Sequence, residues 1–206
     1  VPEMPIELLP GTAPRSHAPR RVSPALQQVI SEEVTELLQL GIVEPSSSRF
    51  ASPVVLVKKK DGGRRMCVDY RAVNKCTVPL RYPIPNARAL LERVAGNSVF
   101  ATLDLRSGFH QIPLAPAARE LTAFATLDGL YEFTRVPFGL RNAPPFFQQT
   151  MASVLSGIAG RGCEVFIDGI VVYGSDSKDF LRNLRMAFDR FRAHQLRLKG
   201  DRKSVV

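Results

Sequence analysis

The chain has 206 residues, with 28 Lys and Arg against 19 Asp and Glu, and its formal net charge of +9 suits a polyanionic partner. At 45% hydrophobic and 23% charged residues it can bury a core, which excludes a disordered chain and leaves room for one or two globular units. No run of about 18 apolar residues occurs, and VPEMPIELLPG lacks a basic stretch followed by a hydrophobic one, so a membrane span and a secretory signal are not expected and the chain reads as soluble and intracellular.

Residues 1–22 are rich in proline, carry Arg15, Arg20 and Arg21, and show neither helical nor strand periodicity, so they read as an extended lead-in. Ser23 as cap, Pro24 at the first helical position, and the apolar face Leu26, Val29, Ile30, Val34, Leu37 and Leu38 predict a helix that Gly41 stops. After the PSSS loop at 45–48, VVLVKKK, Asp61-Gly62-Gly63 and RRMCVDY have the pattern of a hairpin. Its cations are Lys58, Lys59, Lys60, Arg64 and Arg65, and period-2 alternation predicts Lys59 and Arg65 on one face. NARALLERVAG (86–96) predicts a capped helix, and VFATLDL (99–105) a short apolar strand ending in an acid. TAFAT and LYEFTR flank Leu127-Asp128-Gly129 as a second hairpin, PFGLRNAPP reads as a loop, and FFQQTMASVLSG as a helix. EVFI, Asp168-Gly169 and IVVYG predict a third hairpin with Asp-Gly as its turn. A helix follows from Ser177 to about His194, and LRLK starts a last strand. Hairpins in place of crossovers indicate an α+β protein with a mostly antiparallel sheet and packed helices.

Cys67, Cys76 and Cys163 are odd in number, widely spaced and without His at ligand spacing, which argues for free thiols over a disulfide framework or a zinc site. Two carboxylates, Asp104 and Asp168, each end an apolar strand, where a charge needs solvent or a cation. They are either convergent oxygen ligands for Mg²⁺ at the end of one sheet, or a strand-end cap and a turn residue; spacing does not decide between these readings.

The segments LVKKKDGGRRMCVDYRAVN, YPIP, ATLDLRSGFHQI, TAFAT, YEFTRVPFGLRNAPPFFQQTM, EVFIDGIVVYG and LRMAFDRFRAHQLRLK resemble, in order and over nearly the whole chain, the reverse transcriptase of Ty3/gypsy-type LTR retrotransposons. The resemblance implies a right-hand polymerase reduced to fingers and palm. The lead-in would cover 1–22, the fingers 23–80 and 116–145, and the palm 81–115 and 146–206, with thumb, RNase H and integrase segments belonging to other parts of a polyprotein. It further implies that Asp104 and Asp168 are the catalytic, metal-binding acids, with Mg²⁺ as cofactor and Mn²⁺ as a substitute. Lys59 and Arg65 match residues that hold the incoming deoxynucleoside triphosphate, cations being suited to that work. Phe109 matches the aromatic beneath the sugar, with a core aromatic as the alternative, and Phe138 and Gly139 match a loop against the nucleotide. Asn142 and Pro144 match the start of a helix near the template strand. Lys199 or Lys203 matches the late palm lysine, although Ser204 stands where the family usually has Cys. The implied partners are an RNA or DNA template with its primer and no membrane. The implied location is cytoplasmic, in a retroelement particle, with the nucleus as alternative.

One departure bears on chemistry: Gly169 stands where the family's turn has a second aspartate. In two-metal transfer one ion acidifies the attacking 3′-hydroxyl and the other steadies the triphosphate, so losing a ligand is expected to cripple catalysis while leaving the fold intact. Asp176 and Asp179 lie too far along the chain to replace it. The resulting expectation is an RNA-directed DNA polymerase domain of impaired activity. The alternatives are a catalytically dead nucleic-acid-binding remnant and an α+β interaction domain that uses its basic face for a protein partner.

Overall fold

The computed structural model describes residues 1–58, 62–83, 86–166 and 169–200, so the assignments at Lys59, Asp168, Lys203 and Ser204 lie outside the described residues. In chain order the elements are α1 (Pro24–Gln39), β1 (Val43–Pro45), β2 (Ser52–Lys58), β3 (Arg64–Val68), α2 (Arg71–Cys76), α3 (Ala87–Val94), β4 (Val99–Asp104), α4 (Pro116–Arg119), β5 (Phe124–Ala125), β6 (Leu130–Phe133), α5 (Ala143–Val154), β7 (Cys163–Phe166), β8 (Gly169–Gly174) and α6 (Ser177–Ala193). The fold is α+β, and among the described residues the strand pairs are antiparallel except β2 with β5.

The chain forms two compact units. The first comprises Pro2–Pro79 and Ile112–Ala143, and the second comprises Leu80–Gln111 and the chain from Pro144 onward. Each has its own sheet: β1-β6-β5-β2-β3 in the first unit and β4-β8-β7 in the second.

In the first unit, α1 buries Ile30 and Val34 from the expected apolar face. It ends in a Schellman arrangement: the N–H of Gly41 donates to Leu38 and that of Ile42 to Leu37, with Gly41 at φ +64. The β2–β3 hairpin forms as expected, although β2 starts earlier, at Ser52, and the register closes at Lys58 opposite Arg64. The lead-in is extended and is also docked. Met4 is buried; its N–H donates to the Pro113 carbonyl at 2.8 Å, and its own carbonyl accepts from Ala115 N–H at 3.0 Å. Burial of one methionine side chain contributes about 1.5–3 kcal/mol, which a proline-rich segment without periodicity does not advertise.

In the second unit, β8 is the central strand. Ile170 and Val172 are fully buried; they pair with Leu103 and Ala101 on one side and with Val165 and Cys163 on the other. α6 packs on β8 and β4, and its first turn needs Gly174: a Cβ there would sit 2.3 Å from the Phe180 nitrogen. Three expectations are corrected. α5 begins at Ala143, inside the loop read from PFGLRNAPP and where the resemblance had set the start of a helix, because Pro144 and Pro145 fall in its first turn, where no N–H is required of them. LRLK makes a single bridge, Leu198 with Leu105, and no strand. Gly169 is not a turn residue but the first residue of β8, since it pairs with Asp104 on one side and with Phe166 on the other.

Candidate active site

Asp104 closes β4 directly opposite Gly169, the chain neighbour of Asp168. Cross-strand partners share a sheet face and alternate residues change face. Asp104 and Thr102 of β4, Val171 and Tyr173 of β8 and Glu164 of β7 therefore lie on one face, and Ala101, Ile170, Val172, Val165 and Cys163 on the core face. Asp104 is half-buried. Its strand end is also held from the other edge, because the Lys199 N–H donates to the Asp104 carbonyl at 2.8 Å. A carboxylate is the hard oxygen donor that Mg²⁺ prefers, so Asp104 fits such an ion in ligand chemistry. Among the described residues no group of three His, Cys, Asp or Glu that could hold a metal forms.

The turn after β4 carries Phe109 in a 3-10 segment, Gly108–Gln111. Ser107 sits at φ +47, a conformation that non-glycine residues adopt at a cost of about 1–3 kcal/mol. Phe109 is half-buried and meets Phe147 of α5 edge-on, with ring centroids 5.4 Å apart and planes at 87°. One side of the ring is thus fixed in the core. Next to it, burial lowers the pKa of His110.

Sequence reasoning missed Glu164. It is buried, with Oε2 3.6 Å from Arg93 of α3 and Oε1 without a hydrogen-bond partner among the described residues. Burial raises its pKa and the Arg93 charge opposes the rise. The adjacent Cys163 thiol is pushed up to about 12, by burial first and then by the Glu164 charge. The available signal was an acid inside the apolar run EVFI.

In the first unit, Arg65 lies on β3 opposite Val57, exposed and next to exposed Arg64. β3 is the sheet edge, and the N–H of Met66 finds a partner in the Glu33 carboxylate of α1 at 2.8 Å. Phe138 is 56% exposed. Gly139, at φ +97, presents its carbonyl to the Asn74 side-chain amide at 2.8 Å, and Asn74 in turn accepts from the Arg141 N–H at 2.7 Å. Pro144, which belongs to the second unit, is half-buried in the first turn of α5, whereas Asn142 of the first unit is buried and donates to the Val78 carbonyl at 2.8 Å. A cleft of about 560 Å³ in this unit is lined by Arg15, Arg20, Arg71 and Lys75 with Asp69. The Arg71 guanidinium binds Asp69 through two nitrogens, at 2.8 and 2.6 Å, and holds its pKa at about 2. No helix among the described residues is long and apolar enough to cross a membrane.

Residues 57–206 match the family described as reverse transcriptase (RNA-dependent DNA polymerase). The chain is 43% identical over 162 residues to the retrovirus-related Pol polyprotein from transposon opus of Drosophila melanogaster, covering 76% of this chain and 16% of that protein. To the Pol polyprotein from transposon gypsy of the same organism it is 39% identical over 173 residues, covering 80% and 17%. The chain therefore spans about a sixth of these relatives. Among solved structures, a foamy viral protease-reverse transcriptase in complex with an RNA/DNA hybrid superposes with a TM-score of 0.85 at 24% identity, over 97% of this chain and 26% of that one. That likeness is one of fold.

Proposed function

Because this chain belongs to the reverse transcriptase family, we propose that it performs RNA-directed DNA synthesis chemistry within a Pol polyprotein, with catalysis weakened by Gly169. The first unit acts as fingers and the second as palm. The observation that carries the reading is the register of Asp104 against Gly169, which sets the acid at a strand end beside the chain neighbour of Asp168. Asp104 and Asp168 would hold Mg²⁺, which when bound supplies Lewis acidity toward a 3′-hydroxyl and a triphosphate.

The other roles belong to the chain's own side chains. Arg65, with Lys59, offers cationic donors to the triphosphate, and Phe109, braced by Phe147, forms an apolar wall beneath the sugar that rejects a 2′-hydroxyl by shape. Exposed Phe138 and the Gly139 backbone, held by Asn74, line the nucleotide's path. Asn142 and Pro144 shape the chain near the template through the first turn of α5 rather than by reaching out to it. The cations around the first unit's cleft supply sequence-independent phosphate contacts, so nucleic-acid binding weakens steeply with salt. An RNA/DNA hybrid, the ligand of the foamy viral enzyme, is the proposed substrate.

Primer extension by this chain and by its Gly169→Asp version, each fused to a thumb segment, tests the proposal. Weak synthesis by the first and strong synthesis by the second supports it. Salt-sensitive hybrid binding with no synthesis by either chain would make the protein a binding remnant.

A further inference from the structure

The turn between Asp104 and Phe109 is stapled by a residue that none of these roles uses. Gln111 ends the 3-10 segment that carries Phe109. Its Nε2 donates to the carbonyls of Arg106, at 2.6 Å, and Arg197, at 2.8 Å, while its Oε1 accepts from the Arg197 N–H at 2.6 Å. Two carbonyls and one N–H around a single amide fix which end is nitrogen and which is oxygen. Toward Arg197 the side chain thus behaves as a strand neighbour would, taking both main-chain groups of that residue.

The same two segments meet at three further points: Arg106 N–H donates to the Arg197 carbonyl, Leu105 bridges Leu198, and Lys199 N–H donates to the Asp104 carbonyl. The backbone of 104–106 therefore has a partner in 197–199, whereas 107–111 leaves the ladder through the left-handed Ser107. Gln111 is the side chain that returns the far end of this excursion to Arg197.

We propose that Gln111 is a positioning residue for sugar selection: by tying the 106–111 turn to Arg197 it sets the height of the Phe109 ring relative to the Asp104 strand end. The inference rests on the reading of Phe109 as the wall beneath the sugar. Phe147 meets the ring edge-on, with centroids 5.4 Å apart. Gln111 adds an anchor on the backbone two residues on from the ring. A shape filter for one hydroxyl depends on such placement, because a wall displaced by a fraction of an ångström no longer collides.

The test uses the full chain with a primer–template RNA/DNA hybrid and compares four proteins. These are the parent; Gln111→Met, which keeps the length and removes all three bonds; Gln111→Glu, which keeps the size and an acceptor for Arg197 but loses both donors; and Phe109→Val. Two quantities are read: amide exchange at Arg197 by NMR, and the ratio of GTP to dGTP dissociation constants. Exchange at Arg197 is expected to rise at least about fivefold in Gln111→Met, the scale of one lost hydrogen bond. The ratio is expected to fall by at least about fivefold in both Gln111 variants, as a site built on shape loses discrimination. A general loss of structure would weaken both nucleotides alike and leave the ratio unmoved, which overturns the proposal. So does unchanged exchange at Arg197. If Phe109→Val lowers the ratio and the Gln111 variants do not, the Gln111 inference alone fails. If Phe109→Val also leaves it unchanged, the sugar-wall reading fails and takes the inference with it.

Discussion

Restoring a carboxylate at position 169 has a stability signature that can be worked out from the register. Asp104 and Gly169 are direct cross-strand partners, so a side chain at 169 shares the face of Asp104. Cβ atoms of such partners lie about 4.5–5.5 Å apart. Two carboxylates about 5 Å apart repel by roughly 1–3 kcal/mol at an effective dielectric between that of water and that of a protein surface. Replacing glycine within a strand returns about 0.5–1 kcal/mol. Gly169→Asp is therefore expected to be about 1 kcal/mol less stable than the parent in EDTA. A divalent ion between the acids reverses the sign, since binding to the folded state at a hundred times its dissociation constant contributes about 2.7 kcal/mol. Urea unfolding of both chains, with EDTA and then with millimolar Mg²⁺ or Mn²⁺, reads this directly. The variant's midpoint should climb with metal while the parent's moves much less. In primer extension the same substitution should raise synthesis at least about a hundredfold, the scale of a recovered charge-stabilising group in a preorganised site. A variant as stable as the parent in EDTA and indifferent to metal would refute the reasoning, because the two acids would then not face a common ion.

Three further outcomes are expected. Arg65→Glu should weaken deoxynucleoside triphosphate binding by more than it weakens duplex binding, measured by separate titrations; equal losses would reduce Arg65 to a general phosphate contact. Glu33→Ala should cost about 1–3 kcal/mol and speed amide exchange at Met66, whereas Glu33→Gln, which keeps the acceptor, should change little, as monitored by urea unfolding and hydrogen exchange. Burial raises the Glu164 pKa in the folded chain, so stability is fullest below the unfolded carboxylate value near pH 4 and declines as pH rises through the folded value. Glu164→Gln should flatten that decline in unfolding midpoints taken from pH 4 to 8.

What could be read ahead of the structure was mostly what is local. α1 was legible because Pro24 and Gly41 punctuate a clean apolar stripe, although the Ser23 side chain makes no capping hydrogen bond, and the β2–β3 hairpin because its turn chemistry sits between two apolar runs. The Asp-Gly turn misled. The dipeptide suits a turn, but the pairing of β8 on both sides decides where the strand starts, and pairing is not a local property. Long-range partners were likewise hidden. Nothing at position 4 announces that a methionine in a proline-rich segment fills a core 110 residues away at Leu114, and nothing at Gln111 announces Arg197. Asp104 was visible as an acid at a strand end, but the role proposed for it came from the order of motifs around it. Glu164 escaped because an acid in an apolar strand has several explanations until its partner Arg93, from another element, is known.

The interleaving of the two units has a consequence for synthesis on the ribosome. The first unit's sheet is complete once Phe133 has emerged and its last segment once Ala143 has, but the strand end bearing Asp104 waits for Lys199. At about 5–20 residues per second, the 56 residues from 144 to 199 take roughly 3–11 s to make, ample time for a small domain to fold. Residues 80–111 are translated between the two parts of the first unit, so for that interval β4 is an apolar strand with neither β8 nor α6 to cover it. Such a strand is a natural client for a chaperone that holds nascent chains, and its exposure ends only when the second unit closes over it.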